Sequence, residues 1–173
     1  IFDKLKDATY KIGSVEKKDV KRNPAAPFIT STLQQEASRK LGFSVKKTMV
    51  IAQKLYEGID IGGGERGLIT YMRTDSVNLA DVALTQARDI INEKFGAEFS
   101  LDTPRYYKGR KGAQEAHEAI RPVDLSVLPE DVKGSVEKDL YRLYELIWKR
   151  TIACQMKQAL LNRVKVSVLP VAA

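Results

Sequence analysis

Cysteine and histidine are almost absent from this sequence of 173 residues, which contains one of each, Cys154 and His117. A single cysteine excludes a disulfide within the chain and suits a reducing cytoplasm. The apolar helical pattern around Cys154 predicts a buried, unreactive thiol. A structural zinc site needs four cysteine or histidine ligands, so none is expected. The acidic residues are scattered among basic ones, and this pattern does not favour a metal cluster either.

Long apolar runs and nucleotide-binding loops are also missing. No stretch approaches the ~20 apolar residues of a membrane-spanning helix, and no signal peptide is recognisable, so no membrane partner is expected. The G-x-x-x-x-G-K-[ST] phosphate loop is absent. Gly62, Gly64 and Gly67 have the spacing of a dinucleotide-binding loop. Because a strand rather than a helix is predicted after them, we interpret this stretch as a hairpin turn.

The charge balance is basic, with 29 Lys and Arg against 22 Asp and Glu and a net charge of +7. This excess is compatible with a nucleic-acid partner and equally with an ordinary soluble basic protein. The length allows one core, or one domain with part of another. The chain starts at Ile1 and ends in a strand-like run, Val171–Ala173. We therefore expect a piece of a longer polypeptide.

Hydrophobic periodicity predicts an α+β fold that is mainly helical. Strands are predicted over residues 9–21 and 160–169, and these two are expected to pair. Helices are predicted between them, over residues 30–41, 44–56, 80–95 and 136–155. The residues predicted on or near one stripe of the second helix are Val45, Met49, Ala52, Leu55 and Tyr56. The third helix has a predicted buried stripe and ends at Gly96; its stripe consists of Leu84, Ala87, Ile90, Ile91 and Phe95. The fourth has an apolar stripe with Trp148 in the core; the other members are Leu140, Leu143, Tyr144 and Ile147. These elements divide the chain into three segments: residues 1–26 with the first strand, 27–157 with the helices, and 158–173 with the returning strand.

The first two helices and the hairpin have the order of a winged helix. Thr30 or Ser31 is the predicted cap of the first helix, and Ser44 that of the second. The last hairpin strand, residues 68–71, would carry Tyr71 to an exposed edge. The cations that are candidates for DNA contacts are Lys46, Lys47 and Lys54 on the second helix and Arg110 and Lys111 in an aromatic loop. An ordinary solvated surface explains these cations equally well.

A tyrosine and an arginine lie two residues apart in the stretch 67–76, which reads GLITYMRTDS. If this stretch is extended, Tyr71 and Arg73 project to the same face, because side chains alternate along extended chain. A phenol has a pKa of about 10 and needs help from its surroundings to act as a nucleophile. The planar guanidinium of Arg73 suits two phosphate oxygens. On spacing alone, however, a structural role for both residues is favoured.

Three ordered blocks resemble the type IA DNA topoisomerases. Residues 69–76, ITYMRTDS, resemble the active-site motif in the form found in bacterial topoisomerase I. The block PFITSTLQQEAS at residues 27–38 precedes it, and AHEAIRP at residues 116–122 follows it. The first block favours the topoisomerase I branch over topoisomerase III. Reverse gyrase shares much of this region, so these residues leave it open.

The resemblance implies that Tyr71 attacks a phosphodiester of single-stranded DNA and forms a transient 5′-phosphotyrosyl link. The released 3′-hydroxyl later reverses the reaction, after the other strand has passed, so negative supercoils are relaxed without ATP. Arg73 would clamp the phosphate, and His117 would contact it. The supporting residues in the same motifs would be Asp75, Glu118 and Arg121.

The resemblance also implies what lies outside this chain. Mg²⁺ would bind in a separate N-terminal Toprim domain, and Toprim and zinc-ribbon or C-terminal regions would be partners within one cytoplasmic, nucleoid-associated polypeptide. The helical domain would be winged-helix-like (CAP-like) and inserted between strands of a hinge β domain. The chain alone is then expected to bind single-stranded DNA weakly without cleaving it efficiently. The competing hypothesis is a non-enzymatic winged-helix DNA-binding module.

Overall fold

The computed structural model describes residues 8–109 and 117–171. Its helices and strands are, in chain order, β1 (Thr9–Arg22), α1 (Thr30–Leu41), α2 (Val45–Glu57), β2 (Ile59–Asp60), β3 (Glu65–Arg66), α3 (Asp81–Lys94), a 3-10 turn (Ala97–Phe99), α4 (Pro129–Val132), α5 (Lys138–Cys154) and β4 (Ala159–Val171). The α+β class is confirmed. The chain divides into two compact units, a ribbon formed by residues up to Asn23 and from Gln158 onward, and a helical unit, Pro24–Lys157.

The ribbon consists of β1 and β4, which pair antiparallel as expected. A one-residue irregularity between Ile12 and Ser14 interrupts the register. Directly opposite residues share a face, so the extra residue keeps Ile12, opposite Val168, and Val15, opposite Val166, on the same side. Without the irregularity, Val15 would lie on the face opposite to Val166 and Val168.

The core of the helical unit forms around α5, which packs against the other four helices. Its predicted apolar stripe is confirmed, because Leu143 and Tyr144 are fully buried and Trp148 is nearly so. The polar atoms of this stripe are satisfied: Tyr144 Oη donates to the carbonyl of Val127 at 2.7 Å, and Trp148 Nε1 to that of Leu125 at 3.0 Å. Cys154, at the C-terminal end, is buried as predicted.

Helices α1 and α2 are joined by a tight turn. Gly42 has a φ of 72° in the left-handed region, which favours glycine. Ser44 caps α2 as predicted, since its Oγ accepts a hydrogen bond from the Lys47 N–H at 3.2 Å. The predicted buried stripe of α2 was wrong at its edges, because Val45 and Tyr56 are exposed. The helix instead buries Thr48, Ile51, Ala52 and Leu55.

The glycine-rich hairpin is present but shorter than predicted. Each strand has two residues, and Ile59 pairs with Arg66. The expectation that residues 68–71 form its last strand is wrong. The chain turns towards α2 instead, where the Leu68 N–H donates to the Leu55 carbonyl at 2.7 Å. Gly67 permits this approach, because a Cβ there would lie 2.6 Å from the Tyr56 carbonyl oxygen.

Helix α3 follows the predicted periodicity except at its end. Leu84, Ala87, Ile90 and Ile91 are buried, as predicted. Phe95 was expected on the same stripe but is 42% exposed. It occupies the C-cap, and the chain reverses at the next residue, Gly96, with a φ of 105°. The ring therefore leaves the buried face.

Candidate active site around Tyr71

The centre of the site is the segment 69–78, which we call the site segment. It has no regular strand pairing beyond one bridge between Ile69 and Pro122, and it bends at Met72–Arg73. Burial nevertheless alternates along it. The exposed residues are Tyr71, Arg73 and Asp75, and the buried ones are Met72, Thr74 and Ser76. Tyr71 and Arg73 therefore both face solvent, while the intervening side chain enters the core.

Thr30, at the start of α1, holds the middle of the site segment. Its Oγ1 donates to the Met72 carbonyl at 2.8 Å and accepts from the Thr74 N–H at 2.9 Å. Its backbone N–H donates to the Thr74 carbonyl at 2.9 Å. The prediction that Thr30 or Ser31 caps α1 was wrong. The N-cap is Ile29, whose N–H donates to Thr32 Oγ1 at 3.0 Å, so the Thr30 hydroxyl is left for the site segment.

Thr70 joins the start of the site segment to the block that contains His117. The Thr70 N–H donates to the Arg121 carbonyl at 2.9 Å, and its Oγ1 donates to the Ala119 carbonyl at 2.7 Å. The Ala119 N–H in turn donates to the Asn78 carbonyl at 2.8 Å, near the end of the site segment. The block at residues 116–122 therefore meets the site segment near both of its ends. Tyr71 and His117 lie within one and two residues of these contacts.

Glu118 and Arg121 are joined to each other rather than presented to solvent. Two bonds connect them, Nε to Oε1 at 2.6 Å and Nη2 to Oε2 at 3.0 Å. Arg121 is 6% exposed, and its Nη1 donates to the carbonyls of Pro122 and Val123. Glu118 Oε1 also accepts from the Ala80 N–H at 2.7 Å, next to the start of α3. The N-cap of α3 is Ala80, which has no side-chain cap, so this bond to Glu118 is what holds the start of the helix.

Tyr71 is 49% exposed, so its phenol is accessible. Its ring meets that of Tyr56 edge to face, with centroids 5.3 Å apart and planes at 65°. No carboxylate of the described residues lies within ion-pair distance of the Arg73 guanidinium. Asp75 and His117 are exposed as well. The site segment therefore exposes to solvent both the Tyr71 phenol and the Arg73 guanidinium, which has no carboxylate partner among the described residues.

The candidate DNA-contacting lysines of α2 are all exposed but differ in their surroundings. Lys47 is engaged, because its Nζ lies 2.5 Å from Asp139 Oδ2 and 4.6 Å from the centroid of the Phe43 ring. Its hydrogen bond lowers the pKa of the Asp139 carboxyl. Lys54 lies two residues before Tyr56 on the same helix. Arg110 and Lys111 lie outside the described residues.

Within the part of the chain that the structure describes, no group of three or more His, Cys, Asp or Glu side chains is placed to hold a metal ion. In the same part, no helix is long and apolar enough to cross a membrane.

Burial raises the pKa of the Cys154 thiol to about 11.

Sequence reasoning missed three residues that shape the site. Thr30 holds the middle of the site segment by hydrogen bonds, Thr70 joins the segment to the block that contains His117, and Tyr56 packs against Tyr71. The partners of Thr30 and Thr70 lie more than forty residues away along the chain. No local pattern reports such contacts. A glycine immediately before an apolar run, Gly67, was the one available sign that the chain passes close to another backbone there.

Comparisons with known proteins show the family of the chain. The model of the DNA topoisomerase family matches residues 1–171, so the chain belongs to that family. DNA topoisomerase 1 of Rickettsia bellii is 56% identical over 169 residues, which are 97% of this chain and 21% of the relative. DNA topoisomerase 1 of Xylella fastidiosa is 56% identical over 159 residues, 91% of this chain and 20% of the relative.

A solved structure is similar as well. Full-length topoisomerase I from Thermotoga maritima matches with a TM-score of 0.77 and 41% identity, over 96% of this chain and 26% of that protein. The chain thus spans about a fifth of the length of the curated relatives it matches.

Proposed function

We propose that this chain is the tyrosine-bearing part of a type IA DNA topoisomerase and that Tyr71 is its nucleophile. The half-exposed phenol of Tyr71, two residues from the exposed Arg73 on one segment, is the observation that carries this proposal. The phenolic oxygen forms a bond to phosphorus, and the bond from phosphorus to the 3′-oxygen breaks. The phenol loses its proton, and the leaving oxygen gains one to become a 3′-hydroxyl. The reverse attack reseals the strand, so relaxation of negative supercoils needs no ATP.

Arg73 is the proposed phosphate clamp. Its guanidinium has no carboxylate partner among the described residues, and a planar cation can hold two phosphate oxygens while charge grows on them. His117 is the proposed second phosphate contact, because its block is joined to both ends of the site segment. Asp75, exposed beside Arg73, is a proposed supporting residue. Glu118 and Arg121 act through packing, because their ion pair fixes the block that carries His117.

The helical unit has the helix, turn, helix and hairpin order of a winged helix, and we assign it that fold with α2 near the DNA. Lys46 and Lys54, together with Arg110 and Lys111, are the proposed backbone contacts, whose contribution falls as salt rises. The ribbon is assigned to a hinge β domain, with the helical domain at residues 27–157 inserted between its strands at 1–26 and 158–173.

The described residues do not form a set that fits Mg²⁺, so no step on this chain is derived through a metal. Mg²⁺ is assigned to a Toprim domain elsewhere in the polypeptide. That domain and zinc-ribbon or C-terminal regions are the proposed partners, in a protein that acts on single-stranded DNA in the bacterial cytoplasm.

The proposal is tested with the full-length protein and a single-stranded oligonucleotide, by trapping the covalent adduct under denaturing conditions. Tyr71→Phe removes the attacking oxygen and keeps the ring, so the adduct should disappear while binding of the oligonucleotide stays close to that of the wild type. Tyr106→Phe, a change at an exposed tyrosine in another loop, is the matched control and should form the adduct normally. An undiminished adduct with Tyr71→Phe would contradict the assignment.

A second assay separates the enzyme from the alternative, a winged-helix module that only binds DNA. The 173-residue chain alone should bind single-stranded DNA weakly and should not relax supercoiled plasmid, whereas the full-length protein should do so and should form the adduct. A full-length protein that binds DNA without ever becoming covalently attached would favour the binding module. Robust relaxation by the chain alone would contradict its proposed dependence on the other domains.

A further inference from the structure

Tyr56 lies in the last turn of α2, and its ring is the nearest aromatic neighbour of Tyr71 recorded among the described residues. The two centroids are 5.3 Å apart, with an edge-to-face angle of 65°. This is the geometry that aromatic pairs prefer, because the positive edge of one ring meets the negative face of the other. Tyr56 itself is 40% exposed, so the pair forms a surface contact rather than part of the core.

Backbone contacts hold the end of α2 beside the chain that leads to Tyr71. The Leu68 N–H donates to the Leu55 carbonyl at 2.7 Å, which ties the end of α2 to the chain that enters the site segment. Gly67 passes so close that a Cβ there would lie 2.6 Å from the Tyr56 carbonyl oxygen. The ring of Tyr56 therefore extends from a support that is in direct contact with the segment carrying Tyr71.

In the described part of the chain, the Tyr71 side chain has few other contacts that restrain its orientation. Among the described residues its hydroxyl has no hydrogen-bond partner, so the Tyr56 ring is the one specific side-chain contact recorded for it. A half-exposed side chain without restraint exchanges rotamers on the picosecond to nanosecond timescale. Displacement of a reacting group by about 1 Å can cost a rate factor on the order of 100.

We propose that Tyr56 is a positioning residue for Tyr71. Its ring occupies space into which the phenol would otherwise rotate, and it thereby restricts the directions in which the hydroxyl can point. The ring of Tyr56, rather than its hydroxyl, performs this role, since the contact is between rings. This inference rests on the proposed role of Tyr71 as the nucleophile.

The test uses the full-length protein and measures two quantities for each variant: the single-turnover rate of adduct formation at saturating single-stranded oligonucleotide, and the dissociation constant for that oligonucleotide. Tyr56→Leu removes the ring and keeps a large apolar side chain that suits a helix. Tyr56→Phe keeps the ring and removes the hydroxyl. Val50→Ala, at a half-exposed position of the same helix, controls for general effects on α2.

We expect Tyr56→Leu to form the adduct about tenfold more slowly. A tenfold change corresponds to the upper end of the free energy that an edge-to-face aromatic pair contributes to one side-chain conformation. Its dissociation constant should stay within about twofold of the wild type, and Tyr56→Phe and Val50→Ala should keep the wild-type rate. A wild-type rate for Tyr56→Leu would overturn the proposal, as would a Tyr56→Phe variant as slow as Tyr56→Leu. A fall in rate matched by an equal fall in affinity would instead make Tyr56 a DNA contact and also overturn it.

The two proposals fail in different ways. If Tyr71→Phe abolishes the adduct and Tyr56→Leu has no effect, the nucleophile assignment stands and the positioning role is wrong. If Tyr71→Phe leaves the adduct intact, both are wrong. Thermal unfolding of Tyr56→Leu checks that this variant is folded. Even if it is not, Tyr56→Phe still tests the claim that the hydroxyl is dispensable, and a slow Tyr56→Phe variant would overturn the proposal.

Discussion

The hydroxyl of Thr30 is expected to contribute measurably to both stability and catalysis, and Thr30→Val tests this. Valine has nearly the same shape, so the substitution leaves no cavity and removes only the hydrogen bonds. Thr30 Oγ1 donates to the Met72 carbonyl at 2.8 Å and accepts from the Thr74 N–H at 2.9 Å. Met72 is fully buried and Thr74 nearly so, which limits replacement by water.

The expected cost follows from the groups left without partners. An unsatisfied buried donor or acceptor costs about 1–3 kcal/mol. The backbone bond from the Thr30 N–H to the Thr74 carbonyl remains in the variant, and the lost bonds are only partly buried. We therefore expect Thr30→Val to lower the free energy of unfolding by about 2 kcal/mol. Thr30→Ser keeps the hydroxyl and should lose about 0.5–1 kcal/mol through its missing methyl group.

Urea denaturation of the 173-residue chain, followed by fluorescence, measures this effect. Trp148 is the one tryptophan of the sequence and is buried in the helical unit. Thr85→Val is the matched control, because its hydroxyl donates to the Asp81 carbonyl on an exposed helix face and its loss should cost less than about 0.5 kcal/mol. In the full-length protein, Thr30→Val should also slow adduct formation more than Thr30→Ser does. If Thr30→Val is as stable as Thr85→Val, the reasoning about the anchor is refuted.

Two further predictions concern the surroundings of the site. Glu118→Gln leaves the nearly buried Arg121 without its counter-charge and should lower the free energy of unfolding by about 2 kcal/mol. This loss is smaller than that expected for a fully buried pair, because the Glu118 side chain is 28% exposed. A loss below about 0.5 kcal/mol in the same urea assay would contradict the prediction. Cys154 has a pKa raised by burial to about 11 from a usual value of 9.0, so its stabilising contribution is complete below about pH 9 and is lost as the pH rises towards 11. A thiol reagent at neutral pH should therefore label Cys154 only as fast as the helical unit opens, and rapid labelling of the folded chain would show that the thiol is accessible.

Local features of the fold were predictable because the residues that determine them are close in sequence. Ser44 caps α2, three residues before the N–H that it accepts from. Gly96 follows α3, and Trp148 lies on a helical stripe that identified it as core. Burial also alternates along residues 71–76, as expected of extended chain, although the segment bends and forms no regular strand.

Features that depend on distant contacts were not predictable. Thr30 has the residue type and position of a helix cap, yet its hydroxyl bonds to a carbonyl 42 residues away. Glu118 supplies an acceptor 38 residues away at the start of α3. Tyr56 was predicted near the buried stripe of α2, but the buried face is centred on Leu55 and its neighbours, and the tyrosine ring is left beside Tyr71. Each of these depends on how the elements pack, which periodicity does not report.

The most direct test of the central claim is to find which tyrosine becomes attached to DNA. The full-length protein is trapped on a single-stranded oligonucleotide, digested with trypsin and nuclease, and analysed by mass spectrometry. Trypsin cleaves after Arg66 and Arg73, so Tyr71 falls in the peptide GLITYMR, which contains no other tyrosine. Tyr56 falls in the separate peptide LYEGIDIGGGER. Residual nucleotide on GLITYMR is the predicted result, and nucleotide on any other tyrosine peptide would contradict the assignment of Tyr71 as the nucleophile.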